Sequence, residues 1–162
     1  MIELFDPKVC FARELKSSWC CNVKTPKKDS ARIPISNIGQ EICLHFDHNS
    51  GPDKWFLGLI PISKGWECED LSSHSDLVFN YFADKATAAC VGLRDDFEKD
   101  SGVINISKRT PIDEAICEIR VSLKEFKRAG ESRDVFNINK TRFVKFTGGD
   151  GDSFYISRLR IE

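Results

Sequence analysis

The sequence lacks an uninterrupted apolar segment of the length that crosses a bilayer, which takes about 20 residues. Its first residues, Met1 to Asp6, also lack the basic region followed by an apolar one that marks a secretory signal. The sequence therefore predicts neither a membrane span nor export. As written, the chain is expected in the cytoplasm. A domain excised from a longer secreted protein would instead be extracellular, and both alternatives stay open.

An excess of charge of either sign is also missing. The 24 Lys and Arg residues and the 25 Asp and Glu residues give a net charge of -1, and the pI is about 6.3. Nucleic acids and anionic membranes attract proteins through clustered Lys and Arg. The composition thus predicts no nucleic-acid partner and no membrane partner.

A regular disulfide framework is not expected, because the seven cysteines form an odd set. No C-x-x-C motif occurs, and the adjacent Cys20 and Cys21 have poor geometry for a disulfide or a zinc site. Cys43, Cys90 and Cys117 lie in predicted strands, where a thiol is usually a small buried hydrophobe. These three are predicted to be buried free thiols, which favours a reducing environment.

Local signatures of catalysis are absent as well. No G-x-S-x-G, phosphate loop or dinucleotide fingerprint occurs. On a strand His45 and Asp47 share a face while His48 points away, and two ligands do not make a zinc site. The sequence therefore predicts a non-catalytic protein without a cofactor. A hydrolase would need residues, such as paired carboxylates, that meet only in the folded chain.

What the chain does contain is a series of short segments in which apolar and polar residues alternate, separated by turns rich in Gly, Asn, Pro and Asp. This pattern predicts an all-β protein, a jelly-roll β-sandwich of two antiparallel sheets, with residues 1–162 forming one domain. The predicted inward-facing sets are Ile42, Leu44 and Phe46; Leu77, Phe79 and Tyr81; Val91 and Leu93; Ile104 and Ile106; and Ile119, Val121 and Leu123.

Three segments near the end of the chain identify the kind of sandwich. They are an alternating strand over Cys117–Phe126, an Asn-led turn and strand over Phe136–Phe146, and a Gly-rich turn leading into a strand over Phe154–Ile161. In this order they resemble the closing strands of galactose-binding-like jelly rolls, the fold of many non-catalytic carbohydrate-binding modules.

The resemblance continues upstream. Ile42–Trp55, Trp66–Phe79 and Ala89–Asp95 are similar to three earlier landmarks of that fold, so that residues 40 to 162 are covered. It implies non-catalytic binding of a polysaccharide or glycan, with an appended or associated catalytic domain as a further partner. The chain is also similar to the complex I intermediate-associated protein type of domain. Because fold alone does not decide function, an intracellular protein-interaction or assembly module is the alternative, and a small glycan-active hydrolase is a third.

Sugar recognition uses aromatic rings and hydrogen-bonding side chains. The resemblance places contacts at outward strand positions, near Trp55, and at Asp95, the acidic residue that ends the Ala89–Asp95 segment. Asp95 could accept hydrogen bonds from sugar hydroxyls or end its strand in an Asx turn. For the other candidate residues the alternative is that they are ordinary solvated strand residues, and that Trp55 packs in the core or at its rim. The candidate binding residues are Trp55, Asn80, Arg94, Asp95, Arg120, Lys145 and Tyr155.

A structural calcium is the remaining possibility that the resemblance raises, because many relatives hold one near the chain ends. Glu3, Asp6 and the Asp150–Asp152 turn supply oxygen atoms. The family usually has an Asp in its final strand, where this chain has Ser157. With that carboxylate missing, no metal site is expected.

Overall fold

The computed structural model describes residues 1–5, 19–22, 35–47, 56–63, 67–109, 116–128, 136–149 and 151–162. These residues form strands and one short α-helix, α1. The elements in chain order are β1 (Ile2–Phe5), β2 (Trp19–Asn22), β3 (Ile35–Ile38), β4 (Glu41–Asp47), β5 (Phe56–Pro61), β6 (Asp76–Phe82), β7 (Cys90–Asp95), β8 (Ile104–Asn105), β9 (Cys117–Ser122), α1 (Leu123–Arg128), β10 (Thr141–Thr147) and β11 (Ser153–Ile161).

The strands form two antiparallel sheets, as the alternation of the sequence predicts. Sheet A has the order β3-β4-β11-β6-β9, with β1 also paired to β11, and sheet B has the order β2-β5-β10-β7-β8. The pairing Tyr155↔Phe82 and Ile156↔Tyr81 sets the register at the centre of sheet A. In sheet B, Val144 pairs with Ile60 on one side and with Leu93 on the other. The predicted all-β, jelly-roll class is therefore confirmed.

The core lies between the sheets and is formed by the predicted inward-facing sets. Their members are buried, except that Ile42 and Ile104 are partly buried and pack against its edge. Aromatic rings from both sheets meet at the centre, where the Phe46 ring centroid lies 5.0 Å from that of Phe154 and 5.4 Å from that of Phe146. A Cβ atom at Gly58 would collide with the Phe46 ring, so the close approach of β5 to that ring requires glycine. Burial of these apolar side chains holds the two sheets together.

One sequence prediction is wrong in detail, because Cys117–Phe126 is not a continuous strand. The strand ends at Ser122, and Leu123–Arg128 is helical. The Glu125 carboxylate accepts a hydrogen bond from the Ser122 backbone N–H at 3.2 Å, half of a capping box. Leu123 and Phe126 stay buried at helical i, i+3 spacing.

The cysteine prediction is confirmed for Cys43, which is buried and free. Cys90 is free, but Cys90 and Cys117 are only partly buried, so the prediction that these two thiols are buried is wrong. Burial raises the pKa of the Cys43 and Cys90 thiols.

No helix among the described residues is long and apolar enough to span a membrane.

Candidate functional site

The strand residues predicted to contact sugar are divided between the outer faces of the two sheets. Asn80 on β6, Arg120 on β9 and Tyr155 on β11 belong to sheet A. Arg94 on β7 and Lys145 on β10 belong to sheet B. Since the core separates the sheets, these five residues do not meet in one site.

The outer face of sheet A carries a row of three rings from neighbouring strands. His45 and Tyr155 stack with centroids 4.4 Å apart and planes inclined by 8°, and the Phe82 ring lies 5.8 Å from Tyr155 on the next strand. Tyr155 pairs with His45 on one side and with Phe82 on the other. The neighbours on both sides of the Tyr155 ring leave little of its π-face for another ring or a sugar.

The polar residues next to this row are bonded to one another around Glu41. Its Oε1 accepts hydrogen bonds from Ser157 Oγ at 2.7 Å, Arg158 Nε at 2.9 Å and Asn80 Nδ2 at 3.3 Å. Burial raises the pKa of Glu41, but these hydrogen bonds and the Arg158 charge outweigh it, so the net shift is downward. Ser157, at the place of the family's usual Asp, thus lies beside a carboxylate that Arg158 already neutralises.

The remaining arginines described on sheet A are also paired. Arg160 bonds to Glu162 at 2.7 Å and to Glu118 at 3.1 Å. Arg120 bonds to Glu162 at 2.7 Å and to Asp76 at 3.1 Å, and 47% of its side chain is exposed. Exposed pairs of this kind contribute little to stability, because solvent screens them. This face is a solvated network of ion pairs.

The outer face of sheet B differs in one charge, because Lys145 is less exposed than any charged side chain described above on sheet A. Asp100 accepts hydrogen bonds from Arg94 Nε at 2.8 Å and Arg94 Nη2 at 3.1 Å, and its Oδ2 lies 2.8 Å from Lys145 Nζ. The Lys145 side chain is 9% exposed and that of Arg94 is 20% exposed. We call Arg94, Asp100 and Lys145 the Asp100 cluster.

The two cations determine the ionisation of the carboxylate between them. Burial raises the pKa of Asp100, but the hydrogen bonds and charges of Arg94 and Lys145 outweigh it and lower the pKa below its ordinary value of 3.8. The Asp100 carboxylate is therefore ionised at neutral pH. Hydrogen bonds from charged groups in such a partly desolvated place are stronger than those on an open surface.

Apolar residues surround the cluster on the same face. Leu59 pairs with Lys145 in the sheet. Leu59 and Phe143 belong to the outer face, because they alternate with core residues along their strands, and yet both are buried. Gly92 pairs with Lys145 on the other side, and the Lys145 Cε lies 3.5 Å from where a Gly92 Cβ would stand. The missing side chain leaves room for the Lys145 stem to lie across β7 and reach Asp100.

Trp19 continues the same row of sheet B, because its backbone pairs with Leu59. Trp55 lies outside the described residues, directly before the first residue of β5. The register therefore puts Trp19 on the β2 and β5 side of sheet B, and Trp55 directly precedes β5 in the sequence.

The hydrogen bonds of Asp95 indicate a structural role. Its carboxylate is buried and accepts three backbone N–H hydrogen bonds, from Phe97 and Lys99 at 2.9 Å each and from Asn137 at 3.0 Å. Of the two roles that the sequence left open, this geometry matches the one in which Asp95 organises a turn.

Within the described residues, no group of three or more His, Cys, Asp and Glu side chains could hold a metal ion. His45 Nε2 and Ser153 Oγ share a hydrogen bond of 2.8 Å, the contact that a nucleophile and its base would make. The His45 ring is covered on one side by Tyr155. A catalytic role would need a third group to orient His45, and the described structure gives none.

The sequence analysis does not single out Glu41 and Asp100, two carboxylates that each have several hydrogen-bond and ion-pair partners. The sequence predicts a turn at Asp100-Ser101-Gly102, where an acidic residue is ordinary. In the structure the turn comes earlier, and Asp100 forms a β-bridge with Arg94 and an ion pair with Lys145.

Neither a family model nor a curated protein sequence matches this chain. Solved structures do resemble it. The family 30 carbohydrate-binding module of the cellulosomal cellulase Cel9D-Cel44B of Clostridium thermocellum superposes with a TM-score of 0.73 at 16% identity, over 99% of this chain and 96% of that one.

Two other solved structures share the fold more distantly. The family 11 carbohydrate-binding module from Clostridium thermocellum, in complex with a β-1,3-1,4-mixed-linked tetrasaccharide, has a TM-score of 0.56 at 9% identity, over 89% of this chain and 82% of that one. A β-1,2-glucanase from Parabacteroides distasonis has a TM-score of 0.58 at 15% identity, over 89% of this chain and 21% of that one. At these identities the likeness shows the β-sandwich fold of carbohydrate-binding modules.

Proposed function

We propose that this chain binds a polysaccharide or glycan without catalysis, on the outer face of sheet B. The observation that carries the proposal is the Asp100 cluster, in which a carboxylate is held between Arg94 and Lys145 beside buried apolar residues. Sugars present hydroxyls that need donors and acceptors, and C–H faces that need apolar contact. The cluster offers the hydrogen-bonding groups.

The geometry favours sheet B over sheet A for this role. On sheet A the Tyr155 ring has a ring neighbour on either side, and Arg120 belongs to an exposed pair network. Replacing the water around such solvated groups by sugar hydroxyls gains little. On sheet B, Lys145 is nearly withdrawn from water and has donors beyond the one used by Asp100.

The tryptophans add the second element of sugar recognition. Trp19 stands in the same row as Lys145, and Trp55 leads into the strand that pairs with β10. We propose that one or both supply a stacking surface, which is worth about 1–3 kcal/mol per ring.

Such a module would keep an appended or associated catalytic domain near its substrate by raising the effective concentration. The β-1,2-glucanase supports this proposal, because the likeness occupies only 21% of that chain.

The test is affinity electrophoresis in gels containing mixed-linkage β-1,3-1,4-glucan, β-1,2-glucan or hydroxyethylcellulose. We expect at least one polymer to retard the wild-type chain and to remain uncleaved. Lys145→Met, which keeps the stem but removes the donors, should weaken retardation about tenfold or more, and Trp55→Ala should act similarly. Arg120→Gln on sheet A is the matched control and should bind as wild type.

Opposite outcomes would be decisive. Loss of binding in Arg120→Gln but not in Lys145→Met would move the site to sheet A. A wild-type chain that no polymer retards, but that captures a defined protein partner, would replace carbohydrate binding by the assembly-module alternative. Turnover of a polymer, abolished by Ser153→Ala, would make the chain a hydrolase.

A further inference from the structure

Phe97 is the most exposed aromatic side chain among the described residues, at 65%. It stands at the tip of a tight hairpin that follows β7. At the base of this hairpin Arg94 pairs directly with Asp100, and the Asp95 N–H bonds to the Lys99 carbonyl at 2.9 Å. A single exposed apolar side chain is normal on a protein surface. Phe97 differs in that hydrogen bonds hold the backbone of its turn in place.

The hairpin tip is fixed by hydrogen bonds that converge on Asp95. Its buried carboxylate accepts the N–H groups of Phe97, Lys99 and Asn137, which ties both limbs of the turn to the segment before β10. The Asp96 N–H bonds to the Lys140 carbonyl at 2.9 Å. An aromatic ring on so constrained a backbone loses less conformational freedom when it binds a ligand than one on a loose loop would.

The turn also contains backbone strain. Glu98 has a φ of 61°, in the left-handed region, where a residue with a Cβ costs about 1–2 kcal/mol. Strained positions of this kind concentrate at binding and active sites. The sequence keeps Glu98 where glycine would be easier, and the Asp95 hydrogen bonds hold it there.

One part of the Phe97 ring has a partner and the rest faces solvent. Lys140 Nζ lies 5.3 Å from the ring centroid. This cation fixes the ring by a cation–π contact. The exposed part of the ring is available to a flat apolar surface.

The hairpin joins Phe97 to the Asp100 cluster. Only Glu98 and Lys99 separate Phe97, at the tip of the hairpin, from Asp100, which pairs with Arg94 at its base. Val103, which is 50% exposed and belongs to the same connection, reaches the cluster beside Gly92. The exposed apolar residues of this connection therefore border the face that carries Arg94 and Lys145.

We propose that Phe97 is a further carbohydrate-binding residue, which stacks on a sugar unit beyond those held at the Asp100 cluster. The proposal rests on the function proposed above. It extends the proposed binding site from the outer face of sheet B to the hairpin that follows β7. Asp95 is then a positioning residue, since it acts on the ligand only through Phe97. The occupant is a pyranose C–H face, because the chemistry of the adjoining cluster is that of a glycan site.

Isothermal titration calorimetry tests this extension, with whichever of the three polymers retards the wild-type chain most strongly and with a tetrasaccharide of the same linkage. Phe97→Ala should weaken polymer binding about tenfold, while tetrasaccharide binding changes less than twofold, because a short ligand occupies the cluster alone. Phe97→Trp should retain or improve polymer binding. The unfolding midpoint of both variants should equal that of wild type, since the side chain is exposed.

The outcomes separate the two proposals. If Phe97→Ala binds the polymer as wild type while Lys145→Met does not, the Phe97 extension is wrong and the sheet B site stands. An equal loss of both ligands in Phe97→Ala would also overturn the extension, because Phe97 would then belong to the primary contact. A wild-type chain that none of the three polymers retards overturns both proposals.

Discussion

Tyr155 is an aromatic residue at an outward strand position, which the sequence alone assigns to sugar binding. Its ring lies between His45 and Phe82, each on a neighbouring strand. Cross-strand aromatic pairs of this kind stabilise a sheet by about 0.5–1.5 kcal/mol each. We therefore interpret Tyr155 as a residue that stabilises sheet A.

Replacement of Tyr155 should separate these roles. Tyr155→Ala should lower the free energy of unfolding by about 1–2 kcal/mol, because both ring contacts are lost, while glycan affinity stays within twofold of wild type. Tyr155→Phe keeps the ring and should leave both quantities unchanged. Urea unfolding and affinity electrophoresis measure the two effects. A large loss of affinity at wild-type stability would return Tyr155 to the binding site.

Asp95 shows why residue type alone did not decide its role. An acidic residue after an alternating strand suits a sugar contact and an Asx turn equally well. Only the folded chain brings the Asn137 N–H from 42 positions away in the sequence to its second carboxylate oxygen. Long-range contacts of this kind leave no local pattern in a sequence.

The β11 strand contains an irregularity that rearranges the outer face of sheet A. Its register with β6 shifts between Ser157 and Arg160, and Arg158 within the shift has a φ of 48°. Such a bulge adds one residue to a strand and changes the direction of the side chains beside it. Arg158 consequently reaches Glu41, next to Ser157, which bonds to the same carboxylate.

The strain at this bulge can be measured with two substitutions. Arg158→Gly and Arg158→Ala both remove the ion pair with Glu41, but only glycine adopts the left-handed conformation without a Cβ penalty. The Gly variant should therefore be more stable than the Ala variant by about 1 kcal/mol in urea unfolding. Equal stabilities, or a more stable Ala variant, would mean that the backbone at 158 is not strained in solution.

The sequence predicts a strand or turn where a short stretch of residues carries the pattern that marks it. Alternation predicts β4, β6, β7, β8, β9, β10 and β11, but not β1, β2, β3 or β5. Asn137 predicts its turn, in which Asn137 Oδ1 accepts the Asn139 N–H at 3.0 Å. The α1 helix is missed although Ser122 and Glu125 stand at capping-box spacing, because Ile119, Val121 and Leu123 continue the strand period up to it. The Asp100 cluster is missed because its three residues come from separate parts of the chain.

The molecule as a whole should lose stability in acid through its paired carboxylates. Asp100, Glu41 and Glu162 each have a pKa below the ordinary value. For Asp100 and Glu41 burial acts against this and the hydrogen bonds prevail, whereas the bonds from Arg160 and Arg120 dominate for Glu162. A group whose folded pKa is lowered stabilises the native state above its unfolded pKa and loses that contribution as the pH falls through the folded value.

Asp100→Asn tests this linkage at one site. Wild type should be more stable than the variant at pH 7, because the ionised carboxylate pairs with Arg94 and Lys145. The difference between their free energies of unfolding should persist down to about pH 4 and shrink below it, as Asp100 of the wild type becomes protonated. Urea titrations from pH 7 to pH 2.5 measure it. A difference that is constant over this range would show that the carboxylate pKa is not lowered.

The central position of β11 has a consequence for the order in which the chain can fold during synthesis. β4 and β6 are adjacent to β11 in sheet A and not to each other, and β1 also pairs with β11. Because β11 follows all three in the sequence, their hydrogen-bonding edges remain without this partner until β11 has been made. We therefore expect closure of sheet A to be a late step of folding, which leaves the edges of β4 and β6 exposed to aggregation until β11 pairs with them.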